Sequence, residues 1–287
     1  MNIFKILRGR ERASLLILIA FLSCQDQRTE EDPWKHLLNG KDLQGWDTYL
    51  GPKYNPEEEE MNGPVFGLNN DPENVFSIVK EDGETALRIS GSNFGGISTK
   101  KEFENFHLRL EFKWGELKWA PRKNKIRDSG ILYFAVGPHG ADYGFWMRSQ
   151  EFQIEEGDCG DYWGVAGGVF DIRSSKNADD QFVYDENGEI RTFSGTSENG
   201  RRCIKNPDAE HKSGEWNTID LYCFNGTSVH VVNGVVNMIL TNSRQLDNGV
   251  ETPLTKGKIQ IQSEGAEVYY RNIKIRSIDK IPSDILE

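Results

Sequence analysis

Phe106-His107-Leu108-Arg109-Leu110-Glu111-Phe112-Lys113-Trp114 alternates apolar with polar or charged side chains over nine unbroken positions. A period of two belongs to a β-strand, whose successive side chains point to opposite faces; one face here is buried and the other wet. Similar periods recur at Ala86 to Ser90, Thr218 to Phe224, Ser228 to Val232, Lys258 to Gln262 and Val268 to Ile278. Ser129 to Val136 is apolar on both faces, as expected of a strand at the centre of a two-sheet sandwich. No stretch keeps a 3.6-residue apolar period through three turns. Asn-Gly occurs seven times, beginning at Asn39, Asn62, Asn187, Asn199, Asn225, Asn233 and Asn248. Both residues tolerate the positive φ of a tight hairpin turn, so Asn225-Gly226 and Asn233-Gly234 predict a three-stranded meander. An all-β, antiparallel β-sandwich follows. The polar stretches Glu57 to Glu60 and Asp179 to Gly200 read as surface loops, and Asp279 to Glu287 as a tail.

The rest of the chain limits what such a sandwich can do. It has 287 residues, 37% hydrophobic and 28% charged, which excludes a largely membrane-embedded or disordered protein. Residues 34–287 are expected to form one domain. With 45 acidic against 34 basic residues the net charge is −11, so a nucleic-acid partner, which needs a basic surface, is not expected.

The amino terminus reads as a targeting segment. Lys5, Arg8, Arg10 and Arg12 precede the apolar run Ala13 to Leu22, which is too short to span a bilayer. Phe21-Leu22-Ser23-Cys24 resembles a bacterial lipobox, which implies a signal peptide over 1–23 and lipidation of Cys24. The polar stretch 24–33 then serves as a flexible tether, similar to the acidic leaders of surface lipoproteins. An exported lipoprotein held to the membrane by its lipid is expected, facing the periplasm or the cell surface. Cys159, Cys203 and Cys223 remain, with no Cys-x-x-Cys and no His at zinc spacing; one disulfide with one odd thiol, or three buried thiols, both fit.

Chemistry concentrates between Asp128 and Gly168, where His139, Asp142, Tyr143, Trp146, Arg148, Glu151, Gln153, Asp158, Asp161, Tyr162 and Trp163 fall close together. Strand periodicity puts Glu151, Gln153 and Glu155 on one face and Phe152 and Ile154 on the other. A polar row flanked by indoles is one way for a sheet to hold a sugar, with carboxylates and amides on the hydroxyls and tryptophan on the ring; a solvated polar face over core aromatics is the plainer reading.

Five stretches, in order, resemble the 3-keto-disaccharide hydrolase family, a glycoside-hydrolase-like domain of unknown function. They are Leu37 to Trp46 (LLNGKDLQGW), Asp128-Ser129-Gly130-Ile131, Glu151-Phe152-Gln153-Ile154, Gly214 to Thr218 (GEWNT) with Asn233-Gly234, and Gly257 to Gln262 with Arg271-Asn272-Ile273. The resemblance spans about Trp34 to Ile278. It implies a concanavalin A-like jelly-roll β-sandwich of two antiparallel sheets, a site on a concave sheet face and a carbohydrate substrate. Two departures stand out: Ser129-Gly130-Ile131 leads to Tyr133-Phe134 where the family often has Arg, and Gln262 leads to Ser263-Glu264-Gly265 where it often has His-Gly.

A retaining glycosidase needs two carboxyls about 5–5.5 Å apart. Strand neighbours at i and i+2 sit about 6.6–6.8 Å apart, and there Glu151 meets Gln153, with Glu155 about 13 Å away. Two-carboxylate hydrolysis from this strand is therefore disfavoured. The chemistry the resemblance implies asks less: a ketone at C3 acidifies the C2 proton, so a base and an enolate stabiliser suffice for elimination, after which water adds. Glu151 is the candidate base, His139 or Arg148 the candidate stabiliser, Gln153 and Arg271 substrate hydrogen-bonders, and Trp146 and Trp163 ring platforms. A divalent metal on Asp142, Asp158 or Asp161 would substitute for the cation. The alternatives are a non-catalytic surface carbohydrate-binding lipoprotein and an ordinary glycoside hydrolase.

Overall fold

A computed structural model describes residues 33–286. The signal segment, Cys24 and nearly all of the tether lie outside the described residues. Among the described residues the strands make two antiparallel sheets, one of twelve strands and one of nine, the layout of a jelly-roll sandwich. The larger sheet runs Phe182–Tyr184, Gly168–Lys176, Val235–Asp247, Thr227–Val232, Asn217–Phe224, Phe106–Lys118, Ala266–Ser277, Glu84–Ile89 and Phe76–Glu81, with three short strands on its margins. The smaller runs Arg202–Cys203, Tyr162–Val165, Arg148–Glu155, Asp128–Val136, Lys256–Ser263, Gly95–Thr99, Trp46–Pro52 and Val65–Leu68.

Inward side chains of both sheets build one core. Leu108, Leu110, Phe112, Ile219, Leu221 and Tyr270 from the larger sheet share it with Ile131, Tyr133, Phe152, Ile154, Ile259 and Ile261 from the smaller. Polar side chains cross the core as satisfied links. His230 Nδ1 donates to the Gly160 carbonyl at 2.9 Å, which leaves Nε2 to accept the Tyr133 hydroxyl at 3.1 Å. Burial holds this imidazole neutral, with its pKa lowered to about 3, and the ring stacks on Phe152 directly behind Glu151. Ser129 Oγ meets the Tyr270 hydroxyl at 2.7 Å.

The meander forms as expected: Asn225-Gly226 and Asn233-Gly234 are two-residue turns with φ of 48° and 77°, and 50° and 80°. The wet face of Phe106–Lys118 is less wet than alternation implies. His107 is only 2% exposed, stacked on Tyr222 and 2.5 Å from Asp220, which also takes a two-nitrogen contact from Arg109. Lys113 pairs with Glu81 and Asp82, and Glu111 with Arg271.

Two expectations change, and of the two cysteine alternatives one is found. The polar region 179–200 is not a plain loop: Phe182–Tyr184 and Glu189–Phe193 both pair with Gly168–Lys176, because Phe182, Tyr184 and Phe193 carry apolar area that the sheet margin covers. The terminal segment is not a free tail, since Ile281 is buried against Tyr222, Val229 and Val231 ahead of a short helix, Ser283–Leu286. Cys159, Cys203 and Cys223 are three buried free thiols. Among the described residues no helix is long and apolar enough to cross a membrane.

Candidate active site

On the outer face of the nine-stranded sheet lies a cleft of about 300 Å³. Strand register dictates its composition. Glu155 stands opposite Asp128, Gln153 opposite Gly130, and Glu151 between Leu132 on one side and Trp163 on the other. Alternation turns Glu151, Gln153 and Glu155 into the cleft while Phe152 and Ile154 enter the core. The strand Lys256–Ser263, on the far side of Asp128–Val136, adds Gln262, and Glu264 follows it. Trp146 forms a wall, anchored by Nε1 donating to the Gly95 carbonyl at 3.0 Å and packed on Phe94 and Phe145. Arg122, Asp142 and Arg201 complete the lining.

Gly130 makes the floor. A Cβ at this position would collide with both Glu151 Oε1 and Gln262 Oε1, so these two side chains converge over a residue that has none. The requirement is for space, because Gly130 is not among the positive-φ glycines.

Charge in the cleft is unbalanced. Arg122 Nη2 lies 2.6 Å from Asp128 and 2.9 Å from Glu155, while Glu264 is 3.8 Å from Nη1. Burial raises Glu264 to about 8, with the Glu151 and Glu155 carboxylates adding to it and Arg122 opposing. Burial, together with Glu264 and Glu155, also pushes Asp128 well above the carboxylate range despite its short contact with Arg122. Glu151 is 6% exposed and makes no hydrogen bond or ion pair among the described residues. Burial, reinforced by Asp128, holds its carboxyl well above the ordinary value, and the Arg201 charge only partly offsets this. A carboxyl so placed is a strong base once ionised and a usable acid while protonated.

Several polar atoms of the lining have no partner. Gln153 Oε1, Gln262 Oε1, Trp163 Nε1 and Arg122 Nε are buried and unbonded. Buried donors and acceptors are almost always paired, and leaving one unmade costs about 1–3 kcal/mol. Two acceptors beside two donors suit hydroxyl groups, which do both.

Of the residues singled out in the sequence, Glu151, Gln153, Trp146 and Trp163 line this cleft, and Asp142 joins them. His139 does not: it stacks on Tyr49 at 5.3 Å, with burial and Lys258 lowering its pKa. Arg148 does not either. The register slips at Arg148–Gln150, but the guanidinium is drawn to the Ala166 carbonyl, Gln245 and Asp247. Arg271 belongs to the other sheet, paired with Glu111 at 2.7 Å and stacked over Trp216 at 3.9 Å. A bulge at Asn272, with φ of 52°, interrupts the alternation there, so Arg271 lies on the outer face while Ile273 and Ile275 enter the core. Asp158 and Asp161 are taken by Arg202, and Asp161 also accepts the Lys205 backbone N–H, so neither converges on a metal with Asp142. Among the described residues no group of three or more His, Cys, Asp or Glu has the arrangement of a metal site.

Sequence reading missed Arg122, Arg201 and the acidic role of Asp128 and Glu264. The substitution of Ser263-Glu264-Gly265 for His-Gly was the one signal that pointed to Glu264.

The model of the 3-keto-alpha-glucoside-1,2-lyase-like domain matches residues 33–276. No curated protein matches the chain. Among solved structures, a candidate glycosyl hydrolase from Parabacteroides distasonis ATCC 8503 is 21% identical, covering 86% of this chain and 100% of its own, with a TM-score of 0.46. The Bacillus licheniformis beta-glucanase is 11% identical, covering 88% and 100%, with a TM-score of 0.40. The carbohydrate-binding module CBM66 of Bacillus subtilis is 9% identical, covering 81% and 96%, also with a TM-score of 0.40.

Proposed function

We propose, for a chain that belongs to the 3-keto-alpha-glucoside-1,2-lyase-like domain family and so to the carbohydrate-active, glycosyl-hydrolase-like domains, that the cleft cleaves 3-keto-glycosides by elimination followed by hydration. One observation carries the reading: Glu151 is a buried, unpaired carboxyl with a raised pKa at the centre of a cleft lined by unbonded polar atoms.

The steps follow from this arrangement. With a ketone at C3, Glu151 takes the C2 proton, and the electron pair moves into an enolate whose oxygen bears the charge. Arg201 is the available stabiliser, since its contact with Asp142 is a loose 3.5 Å. Collapse of the enolate forms the C1–C2 double bond and breaks the C1–O bond. The departing oxygen takes a proton from Asp128 or Glu264, both of which burial keeps protonated above the usual range. Water then adds through its oxygen to C1, giving its spare proton to the carboxylate that had protonated the leaving group, and Glu151 returns its proton to C2, so that every group ends as it began.

Glu151→Gln keeps size and most hydrogen bonding, so binding survives while the rate falls about 10²–10⁴-fold. A wild-type rate in that variant would remove Glu151 from the role. A second reading has its own support: Asp128 and Glu264 supply the extra carboxyls that the Glu151 strand lacks, as ordinary two-carboxylate hydrolysis requires. Cleavage of unoxidised glycosides alone would favour it over elimination.

The amino-terminal sequence supports a place for this activity. The basic segment, the short apolar run and Ser23-Cys24 fit an exported protein tethered by lipid on Cys24, working where glycans outside the cytoplasm are met.

A further inference from the structure

Tyr143 occupies a position where folding alone would choose another residue. Residues 142–145 close a tight turn, Phe145 N–H donating to the Asp142 carbonyl at 2.9 Å, with φ of 48° at Tyr143 and 86° at Gly144. The chain builds comparable turns with Asp82-Gly83, Asn225-Gly226, Asn233-Gly234 and Asn248-Gly249. Short polar side chains tolerate this left-handed backbone, and bulky ones resist it. Burial does not explain the exception, because Tyr143 is 74% exposed, the most exposed of the large apolar or aromatic side chains among the described residues. Its hydroxyl has no partner there either.

What Tyr143 does touch is the cleft's own machinery. The Arg201 guanidinium lies 5.7 Å from the Tyr143 ring and 5.2 Å from the Trp163 ring, so one cation links the exposed ring to a wall of the site. Tyr143 also directly follows Asp142, which lines the cleft and pairs with Arg201. With Arg201 near the ring and most of the side chain exposed, ring surface remains open beside the mouth. A cleft of about 300 Å³ is at the small end for a ligand site and holds little beyond a single ring.

We infer that Tyr143 is a stacking platform for a second sugar ring outside the cleft, and so the residue that sets how much more tightly a disaccharide is held than a glycoside with a small alkyl leaving group. This rests on reading the cleft as a 3-keto-glycoside site. The Tyr143 face carries the negative side of the ring quadrupole, which attracts the polarised C–H face of a pyranose, and the neighbouring guanidinium fixes the ring in place.

Affinity of a 3-keto-disaccharide and of the matching methyl 3-keto-glucoside, titrated calorimetrically in the Glu151→Gln background so that neither is consumed, tests this. The parent should favour the disaccharide by roughly 3- to 10-fold, the scale of one aromatic contact. Adding Y143F should keep that ratio, and adding Y143N should bring it to about one. Y143N should also melt at or above the parent's temperature, since Asn suits the turn. A ratio unchanged by Y143N, a ratio lost equally in Y143F, or a marked fall in melting temperature in Y143N would each overturn the platform while leaving the cleft's function untouched. Failure of the parent to bind either ligand would overturn the functional reading, and the platform with it.

Discussion

Glu264→Gln should stabilise the protein in alkaline solution and change it little in acid. The Glu264 side chain is 15% exposed and stands 3.8 Å from Arg122, whose Nη2 is already shared by Asp128 and Glu155. Burial therefore dominates and lifts its pKa from 4.5 to about 8. An acid whose folded pKa is raised contributes its stability while protonated, below the unfolded value. That contribution fades as pH rises and is gone above the folded value. The window here runs from about 4.5 to about 8. At about 1.4 kcal/mol per pH unit, the ionised carboxylate costs on the order of 5 kcal/mol at pH 9 relative to pH 4. A buried amide in place of the carboxyl keeps a smaller desolvation cost of its own, which offsets part of this, so a gain of roughly 2–4 kcal/mol is expected. Urea unfolding of wild type and variant from pH 4 to pH 9 measures it: the midpoints should coincide near pH 4, diverge above about pH 4.5 and level off above about pH 8, the variant being the more stable. A difference that is constant with pH would show that Glu264 titrates normally. A variant less stable at pH 9 than wild type would show that Arg122 needs the Glu264 charge, and the account of the cleft as an over-acidic site would fail.

Gly130→Ala should leave the melting temperature within a few degrees of wild type, because the obstructed atoms are the ends of two flexible side chains. Displacing Glu151 and Gln262 should nevertheless lower kcat/KM towards a 3-keto-glycoside by roughly 10²-fold, the cost of about 1 Å of misplacement, and a wild-type value would mean that Gly130 is not the floor. Cys24→Ala should move the expressed protein from the membrane to the soluble fraction and remove the mass of the lipid; unchanged fractionation and mass would refute lipidation.

The strand pattern was legible where one face is apolar and the other is not. Phe106 to Trp114 and Thr218 to Phe224 alternate because their sheet has a polar outer side, and the turns between them need residues that accept positive φ. Gly95–Thr99 was not legible, since all five of its residues are buried and both faces look alike. Trp46–Pro52 and Tyr162–Val165 were missed because they are short and interrupted by glycine or proline. Region 179–200 misled through its polarity, which belongs to its turns, while Phe182, Tyr184 and Phe193 supply the contacts that make it a sheet margin.

The family-like motifs divide into those that hold the fold and those that build the cleft, and only three-dimensional register separates them. Asn39 and Asp42 cap a turn, with Asn39 Oδ1 accepting the backbone N–H groups of Lys41 and Asp42, and Trp46 Nε1 donates to the Leu37 carbonyl. Trp216 lies under Arg271, and Asn233 bridges Thr218, Ala209 and Asn217. All of these are architectural, which is why Arg271 could be mistaken for a ligand-binding residue. Asp128, Gly130, Glu151, Gln153 and Gln262 come from three separate motifs that are adjacent strands of one sheet. Alternation along Glu151 to Glu155 could place three of the cleft's side chains, but not the acids that face them, because cross-strand neighbours depend on register. For the same reason the strand taken alone offered a single candidate base, whereas the assembled cleft holds three carboxyls with raised pKa values, Glu151, Asp128 and Glu264, beside two guanidinium groups. Cleavage of oxidised but not unoxidised glycosides would support the proposed elimination, cleavage of unoxidised glycosides alone would support direct displacement, and cleavage of neither would refute both.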